Sequence, residues 1–241
     1  MPVSHNPHSS WAEVYDLAYK RSFGESYNRL TAATVQVVEG SIRPGGSIVD
    51  FGAGTGRLSI PLAEKKYDVT AVDPSQEMLR QLEKKKREEM KLRTVCSQMQ
   101  DFKEGNFDFA LCVFTVLLYF LDEESLTKAI SAAYEALKPG GTLLIDIPSK
   151  SIFQSYSRVD DLIERFVSVT EENEDIYCYQ EELTVKGPDD ESTYFDEFYI
   201  RYWPSDFVST ILSKTGFTLE ADLTTHFSGA GSRYWIMKKA A

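Results

Sequence analysis

Residues 48 to 63 constrain this chain more than any other stretch. They read Ile-Val-Asp-Phe-Gly-Ala-Gly-Thr-Gly-Arg-Leu-Ser-Ile-Pro-Leu-Ala. An apolar run closes at Asp50. Gly52, Gly54 and Gly56 follow, and then Leu58, Ile60, Leu62 and Ala63 resume an apolar pattern. The order is a strand, a tight turn and a helix start. Glycine serves where the backbone takes positive φ or must touch a ligand with no Cβ in the way. The helix start behind the turn offers N–H groups without a partner in the helix. About 20 residues past the loop, Tyr67 to Asp73 is an apolar strand that also ends in an acid. An acid at that point can accept both hydroxyls of a ribose.

The run Asp50-x-Gly52-x-Gly54-x-Gly56 resembles motif I of the class I S-adenosylmethionine-dependent methyltransferases. Asp73-Pro74-Ser75-Gln76-Glu77-Met78-Leu79 is similar to their post-I motif, and Lys138-Pro139-Gly140-Gly141 stands further on. A dinucleotide loop of the dehydrogenase kind takes its third glycine at position 57, which is Arg57 here, so a NAD enzyme is disfavoured. The resemblance covers roughly residues 11 to 241. It implies S-adenosylmethionine as cofactor and S-adenosylhomocysteine as product. It sets Gly52-Ala53-Gly54 against the methionine part, with Gly56 closing the motif. Asp50 and the carbonyls near Gly52 and Val113 suit the methionine amino group. Asp73 takes the ribose. Pro74 and Met78 flank the adenine, as do Met99 and Phe114 from the other side. Gln98 stands where many members place an Asp facing the adenine amino group. An N-terminal helix lies over the cofactor in many small-molecule members, which makes Tyr15 and Tyr19 candidates; core packing is their other reading.

At 241 residues the chain makes one domain, or one domain with an insertion. No apolar run reaches membrane-spanning length, and Met-Pro-Val-Ser-His-Asn-Pro-His is no signal peptide. Cys96, Cys112 and Cys178 are scattered and odd in number, which reads as free thiols in a reducing compartment, hence a cytoplasmic protein with no metal site. Net charge is −11, and residues 151 to 205 carry 14 Asp or Glu against 4 Lys or Arg. Such a segment repels phosphate backbones and argues against a nucleic-acid partner. It is a solvated acidic surface, or one that favours a cationic acceptor.

Strands and helices alternate from Arg43-Pro44-Gly45-Gly46 to Asp146, which predicts a doubly wound, Rossmann-like parallel sheet of the seven-stranded methyltransferase kind. The spacing predicts helices over 11–19, 29–40, 75–93 and 122–137. Residues 1–150 form the cap helices and cofactor core. Residues 151–203 carry alternating apolar strands, an antiparallel hairpin or three-stranded sheet; an insertion at this point resembles that of the glycine N-methyltransferase and sugar-amine N,N-dimethyltransferase groups, which implies a roof over the substrate. Residues 204–241 complete the core sheet.

The strand at 106–114 lacks the Asn/Asp-Pro-Pro-Tyr tetrapeptide of the nucleic-acid and protein amide methyltransferases; Val113-Phe114-Thr115-Val116 stands there. The acceptor is therefore expected to be a small molecule, an amine nitrogen before a hydroxyl. Methylation of a protein or tRNA, and cofactor binding without transfer, are the alternatives. Tyr119, just past that strand, is the candidate catalytic or pocket residue. Glu197, Tyr199 and Arg201 share a face of the inserted sheet and are candidate substrate contacts, or a surface ion pair. His5 and His8 fall in an N-terminus expected to be loose, and His226 has no motif around it. A homodimer is compatible with all of this. No membrane partner is expected.

Overall fold

A computed structural model describes residues 6–188 and 190–241. His5 and Asp189 of the expected turn lie outside the described residues.

The chain begins with a short 3-10 turn, Ser9–Trp11, and helix α1, Tyr15–Ser41. Then follow β1 (Ser47–Phe51), α2 (Ser59–Glu64), β2 (Asp68–Asp73), α3 (Gln76–Lys85), β3 (Leu92–Cys96) and β4 (Phe107–Cys112). Helix α4 (Glu123–Ala136) leads into β5 (Leu137–Pro148). Four strands, β6 (Tyr156–Val159), β7 (Ile163–Asn173), β8 (Ile176–Lys186) and β9 (Glu191–Arg201), precede α5 (Ser205–Thr215), β10 (Phe217–Asp222) and β11 (Ser232–Lys239).

The main sheet has seven strands in the order β10-β11-β5-β4-β1-β2-β3. Strands β1 to β5 pair in parallel, and β11 runs antiparallel to both β5 and β10. Both faces are covered. On one, Ile130, Val208 and Leu212 pack against Ile145 and Trp235; on the other, Val38, Leu62 and Leu79 pack against Ile48, Val69 and Phe109. Burial on both sides explains why β1 and β4 read as unbroken apolar runs. The order reverses between β1 and β4, which opens a crevice beyond the strand ends.

The inserted segment forms a separate antiparallel sheet in the order β6-β7-β8-β9. It has four strands where a hairpin or three strands were expected; the added strands are β6 and β7. Its inner face buries Tyr177, Phe198 and Ile200 against Leu118 and Phe153, and Ile163 and Leu183 against Trp11 and Ala18.

Three boundaries differ from the pattern-based expectation. The helices at 11–19 and 29–40 are one helix, bent at Gly24, whose φ of 51° and ψ of −125° are non-helical. Its start carries no side-chain cap; Ser9 instead bonds Ser75 across the fold. Helix α3 stops at Lys85, well short of 93, because the buried Met90 and Leu92 draw the chain onto the sheet edge. Ser75 caps its start, accepting from Met78 N at 3.1 Å, as Asp122 caps α4. Lys138-Pro139-Gly140-Gly141 ends α4 and lies within β5 as an irregularity, where pairing jumps from Phe107↔Leu137 to Phe109↔Thr142.

Candidate active site

A cavity of about 510 Å³ lies beyond the carboxyl ends of β1, β2, β3 and β4. Its floor is the glycine loop. A Cβ on Gly52 would stand 2.5 Å from Val116 Cγ2, and one on Gly56 would stand 2.7 Å from Leu82 Cγ. Those two glycines are required by neighbouring side chains. Gly54 differs: it lines the cavity at φ +53°, and a Cβ there would meet only the Met78 methyl at 3.4 Å.

Asp73 closes β2 and is buried. Its Oδ2 accepts from Gly54 N at 2.8 Å and its Oδ1 from Ser75 N at 2.8 Å. Burial raises its carboxyl to about 6, against the pull of those two N–H groups. A carboxylate offers about four lone-pair positions, so acceptor capacity remains toward the cavity. Pro74, Met78 and Met99 add apolar wall. Gln98 lines the cavity and is exposed. Gln100, which the sequence reading missed, lines it too, and its buried Oε1 has no hydrogen-bond partner among the described residues.

Four expected contacts stand behind the wall: Asp50, Ala53, Gly56 and Val113 are not among the lining residues. Asp50 turns from the cavity and accepts from Ser59 Oγ at 2.6 Å. Burial raises its carboxyl to about 7, opposed by Ser59 and reinforced by the charge of Asp73. Arg57 fills the place of the absent third glycine. Its guanidinium lies 3.5 Å from the ring centroids of both Tyr27 and Phe114. It also donates to Thr31 Oγ1 at 2.7 Å and Tyr27 O at 2.8 Å. This sandwich pins α1 to the loop after β4, where Phe114 and Thr115 both take positive φ. Asp146, which accepts from Thr115 N at 3.1 Å, holds that loop from below; burial raises it to about 7.

Tyr15, Tyr119 and Tyr199 line the cavity with His8. Tyr19 stacks on Tyr15 with centroids 4.2 Å apart and is not among the lining residues. Residues 6 to 9 are tied down, contrary to the expectation for the N-terminus. Asn6 Nδ2 donates to Pro74 O at 2.7 Å, His8 N donates to Asp196 Oδ2 at 2.5 Å, and the Ser9 and Ser75 hydroxyls are 2.7 Å apart. His8 is 6% exposed, and its Nε2 lies 3.2 Å from the Tyr119 hydroxyl. Burial, aided by the charge of Arg165, lowers its imidazole to about 3. Desolvation raises the phenol of Tyr15 well above 10; the Tyr119 phenol shifts in the same direction, although the residue is 39% exposed. His226 is exposed and away from the cavity.

Glu197 and Arg201 form no clamp. Strand alternation turns Phe198 and Ile200 inward, and Glu197 accepts from Gln180 Nε2 at 2.7 Å on the outer face. Arg201 donates to Leu121 O at 2.8 Å and lies over the Trp203 ring at 4.1 Å. Of the three expected substrate contacts on β9, Tyr199 alone lines the cavity.

The sheet order and the crevice beyond its strand ends are those of a doubly wound α/β fold. Residues 48–141 match the family Methyltransf_25, described as a methyltransferase domain. The chain is similar over 103 residues, at 35% identity, to the glycine/sarcosine N-methyltransferase of Aphanothece halophytica; the match covers 41% of this chain and 39% of that one. The matched stretch spans about half or less of most of its curated relatives. A methyltransferase from Clostridium acetobutylicum ATCC 824 has the same fold, with a TM-score of 0.83 at 19% identity over 95% of this chain and 99% of that one. So does the sugar N-methyltransferase KedS8 from Streptoalloteichus sp ATCC 53650, with a TM-score of 0.78 at 22% identity over 100% and 97%. The chain thus carries a methyltransferase domain over residues 48–141, on a fold shared with solved methyltransferase structures. Among the described residues no helix is long and apolar enough to cross a membrane.

Proposed function

We propose that this chain transfers the methyl group of S-adenosylmethionine to the nitrogen of a small amine. The residues fit the cofactor: Gly54 leaves its side of the loop open, Asp73 keeps acceptor capacity, and Gln100 Oε1 is an acceptor in want of a donor. In this reading Gly52 and Gly54 lie against the methionine part. Asp73 takes the ribose hydroxyls, Pro74, Met78 and Met99 flank the adenine, and Gln100 faces its amino group with Gln98 at the rim. Asp50, Ala53, Gly56 and Val113 shape the loop from behind. Tyr15, Tyr119 and Tyr199 wall the acceptor end beside Phe114.

Bound there, the cofactor supplies an electrophilic methyl: the amine lone pair forms the N–C bond as the S–C bond breaks, the released pair stays on sulfur, and the proton leaves from the product ammonium. The protein contributes orientation and a dry wall.

One observation carries the choice of nitrogen over oxygen. A hydroxyl acceptor calls for a base within hydrogen-bond reach, and among the described residues the wall has none suited to it. His8 is held near 3, and the Tyr15 and Tyr119 phenols are held above 10. Of the wall carboxylates, Asp73 is taken up by the ribose hydroxyls in this reading, and Asp122 caps α4 through Ser125 N. An unprotonated amine needs no such base. The glycine/sarcosine and sugar N-methyltransferases among the relatives agree with this reading. Methyl-labelled S-adenosylmethionine incubated with glycine, sarcosine and glucosamine should yield an N-methylated product. Tight binding of S-adenosylhomocysteine with no transfer to any amine would favour a cofactor-binding protein instead.

A further inference from the structure

The His8–Tyr119 pair has no counterpart in the motifs that hold the cofactor. His8 sits in a box of rings, with Trp11 and Phe198 centroids each at 5.0 Å and Tyr15 at 5.6 Å. Its backbone is left-handed, φ 63° and ψ 1°, a conformation that costs a non-glycine residue and gathers at functional sites. The bond from His8 N to Asp196 holds it there. Two carboxylate oxygens, Glu181 Oε2 and Asp196 Oδ2, lie 3.8 Å from Nδ1. That side of the ring thus faces two carboxylates, one of them paired with the Arg165 guanidinium, and the other faces the Tyr119 hydroxyl.

We infer that His8 is a positioning residue: it carries its proton on Nδ1, accepts the Tyr119 hydroxyl proton at Nε2, and so presents the Tyr119 oxygen to the cavity as an acceptor for an amine N–H. The tautomer follows from the field. A neutral imidazole has one donor and one acceptor nitrogen, and the N–H goes to the side of the two carboxylates. Nε2 is then a lone pair, and among the described residues the hydrogen within its reach is that of the Tyr119 hydroxyl. A hydroxyl whose single proton is committed shows the cavity only lone pairs. Those lone pairs hold a primary or secondary amine by its N–H and leave the nitrogen lone pair free to point elsewhere. They give no hold on an acceptor without an N–H. The inference rests on the amine reading for its substrate class, while the tautomer stands apart from it.

The test has two arms. Histidine-¹⁵N NMR of the full chain, with the His8 signals assigned by their loss in His8→Phe, should show a neutral ring protonated at Nδ1 from pH 6 to 8. Its Nε2 signal should move in Tyr119→Phe. A ring protonated at Nε2, an imidazolium at pH 7, or an Nε2 signal indifferent to Tyr119→Phe overturns the inference, whether or not any amine is methylated. In the second arm His8→Phe, which fills the ring box without a nitrogen, should lower kcat/KM for the methylated amine at least tenfold. S-adenosylhomocysteine affinity by calorimetry should stay within threefold. The double variant His8→Phe/Tyr119→Phe should be no worse than Tyr119→Phe alone, because His8 acts through that hydroxyl. Losses that multiply would mark His8 as merely structural and sink the inference. Should His8→Phe not fold, Tyr119→Phe in the otherwise native chain still decides the NMR arm. Failure of every amine to react, with the expected tautomer intact, counts against the amine reading alone.

Discussion

Gly54 and Gly56 stand two residues apart in one loop and do different work. Both take positive φ, which costs an L-residue about 1–2 kcal/mol. A side chain on Gly54 projects into open cavity, and one on Gly56 runs into Leu82. Gly54→Val should therefore weaken S-adenosylhomocysteine binding at least thirtyfold in calorimetry, with a modest loss of stability. Gly56→Val should lower the melting temperature more and affect binding less. Equal effects on both measures would deny the loop its two faces. Asp73 allows a pH test. Its ionised form accepts ribose hydroxyls, and its protonated form is itself a donor. With the carboxyl near 6, the ionised share falls about tenfold between pH 7.5 and pH 5, and apparent affinity falls with it. The dissociation constant of S-adenosylhomocysteine should rise about tenfold over that range, and Asp73→Asn should flatten the profile. Stability of the ligand-free protein runs the same elevation the other way. Asp50, Asp73 and Asp146 all sit above their ordinary value of 3.8, so their contribution is full below about 4 and is lost progressively as pH rises to about 6 to 7. Asp73 and the loop glycines were legible because a local motif carries them. Gln100 and His8 were not: Gln100 stands two residues from Gln98 in a stretch whose pattern does not say which amide faces the cavity, and His8 becomes a site residue only through Asp196 and Tyr119 across the fold.

At the scale of elements, α1 is the piece whose shape matters most. Its first half carries Tyr15 to the cavity and its second half packs on the main sheet through Val35 and Val38. The bend at Gly24 joins the two directions, and a Cβ there would meet nothing within 4 Å. Gly24→Ala therefore isolates conformation from packing. It should cost about 1–3 kcal/mol in urea unfolding and weaken S-adenosylhomocysteine binding as the first half swings. A neutral substitution would mean that the bend carries no strain for a side chain. Apolar spacing located both halves of this helix and left a gap at the bend, since periodicity reports which face is buried and not whether the chain turns between two buried faces. The same limit hid β6 and most of β7: Val159 and Phe166 are exposed, so those strands lack a clean inner and outer alternation. The centre of the Rossmann-like core had no such ambiguity, because β1, β2, β4 and the later part of β5 are buried on both faces.

Across the whole molecule, the cavity depends on how the second sheet meets the N-terminal strap and α1. One buried ion pair lies at that junction. Arg165 of β7 and Glu181 of β8 are 2.6 Å apart, with both side chains fully buried. Arg165 also donates to Ser22 Oγ of α1 at 3.1 Å and lies 4.6 Å from the Tyr19 ring centroid. Glu181 in turn faces the Nδ1 side of His8. Burial pushes the Glu181 carboxyl up, and Arg165 pulls it back down. Neither partner declares itself in the sequence, where each reads as one more charge in an acidic segment. Two charges withdrawn from water gain little over apolar residues of the same size, while a single orphaned charge is severe. Arg165→Met should thus cost about 3–5 kcal/mol in urea unfolding, because Glu181 is left buried without its cation. Arg165→Met/Glu181→Met should recover most of that loss. The double variant should nevertheless bring the His8 Nδ1 resonance closer to that of an unpaired imidazole, since one of its two carboxylates is gone. If the double variant is as unstable as the single one, the pair is needed for more than mutual neutralisation, and the contact of Arg165 with Ser22 and Tyr19 becomes the bond that seats the second sheet on α1.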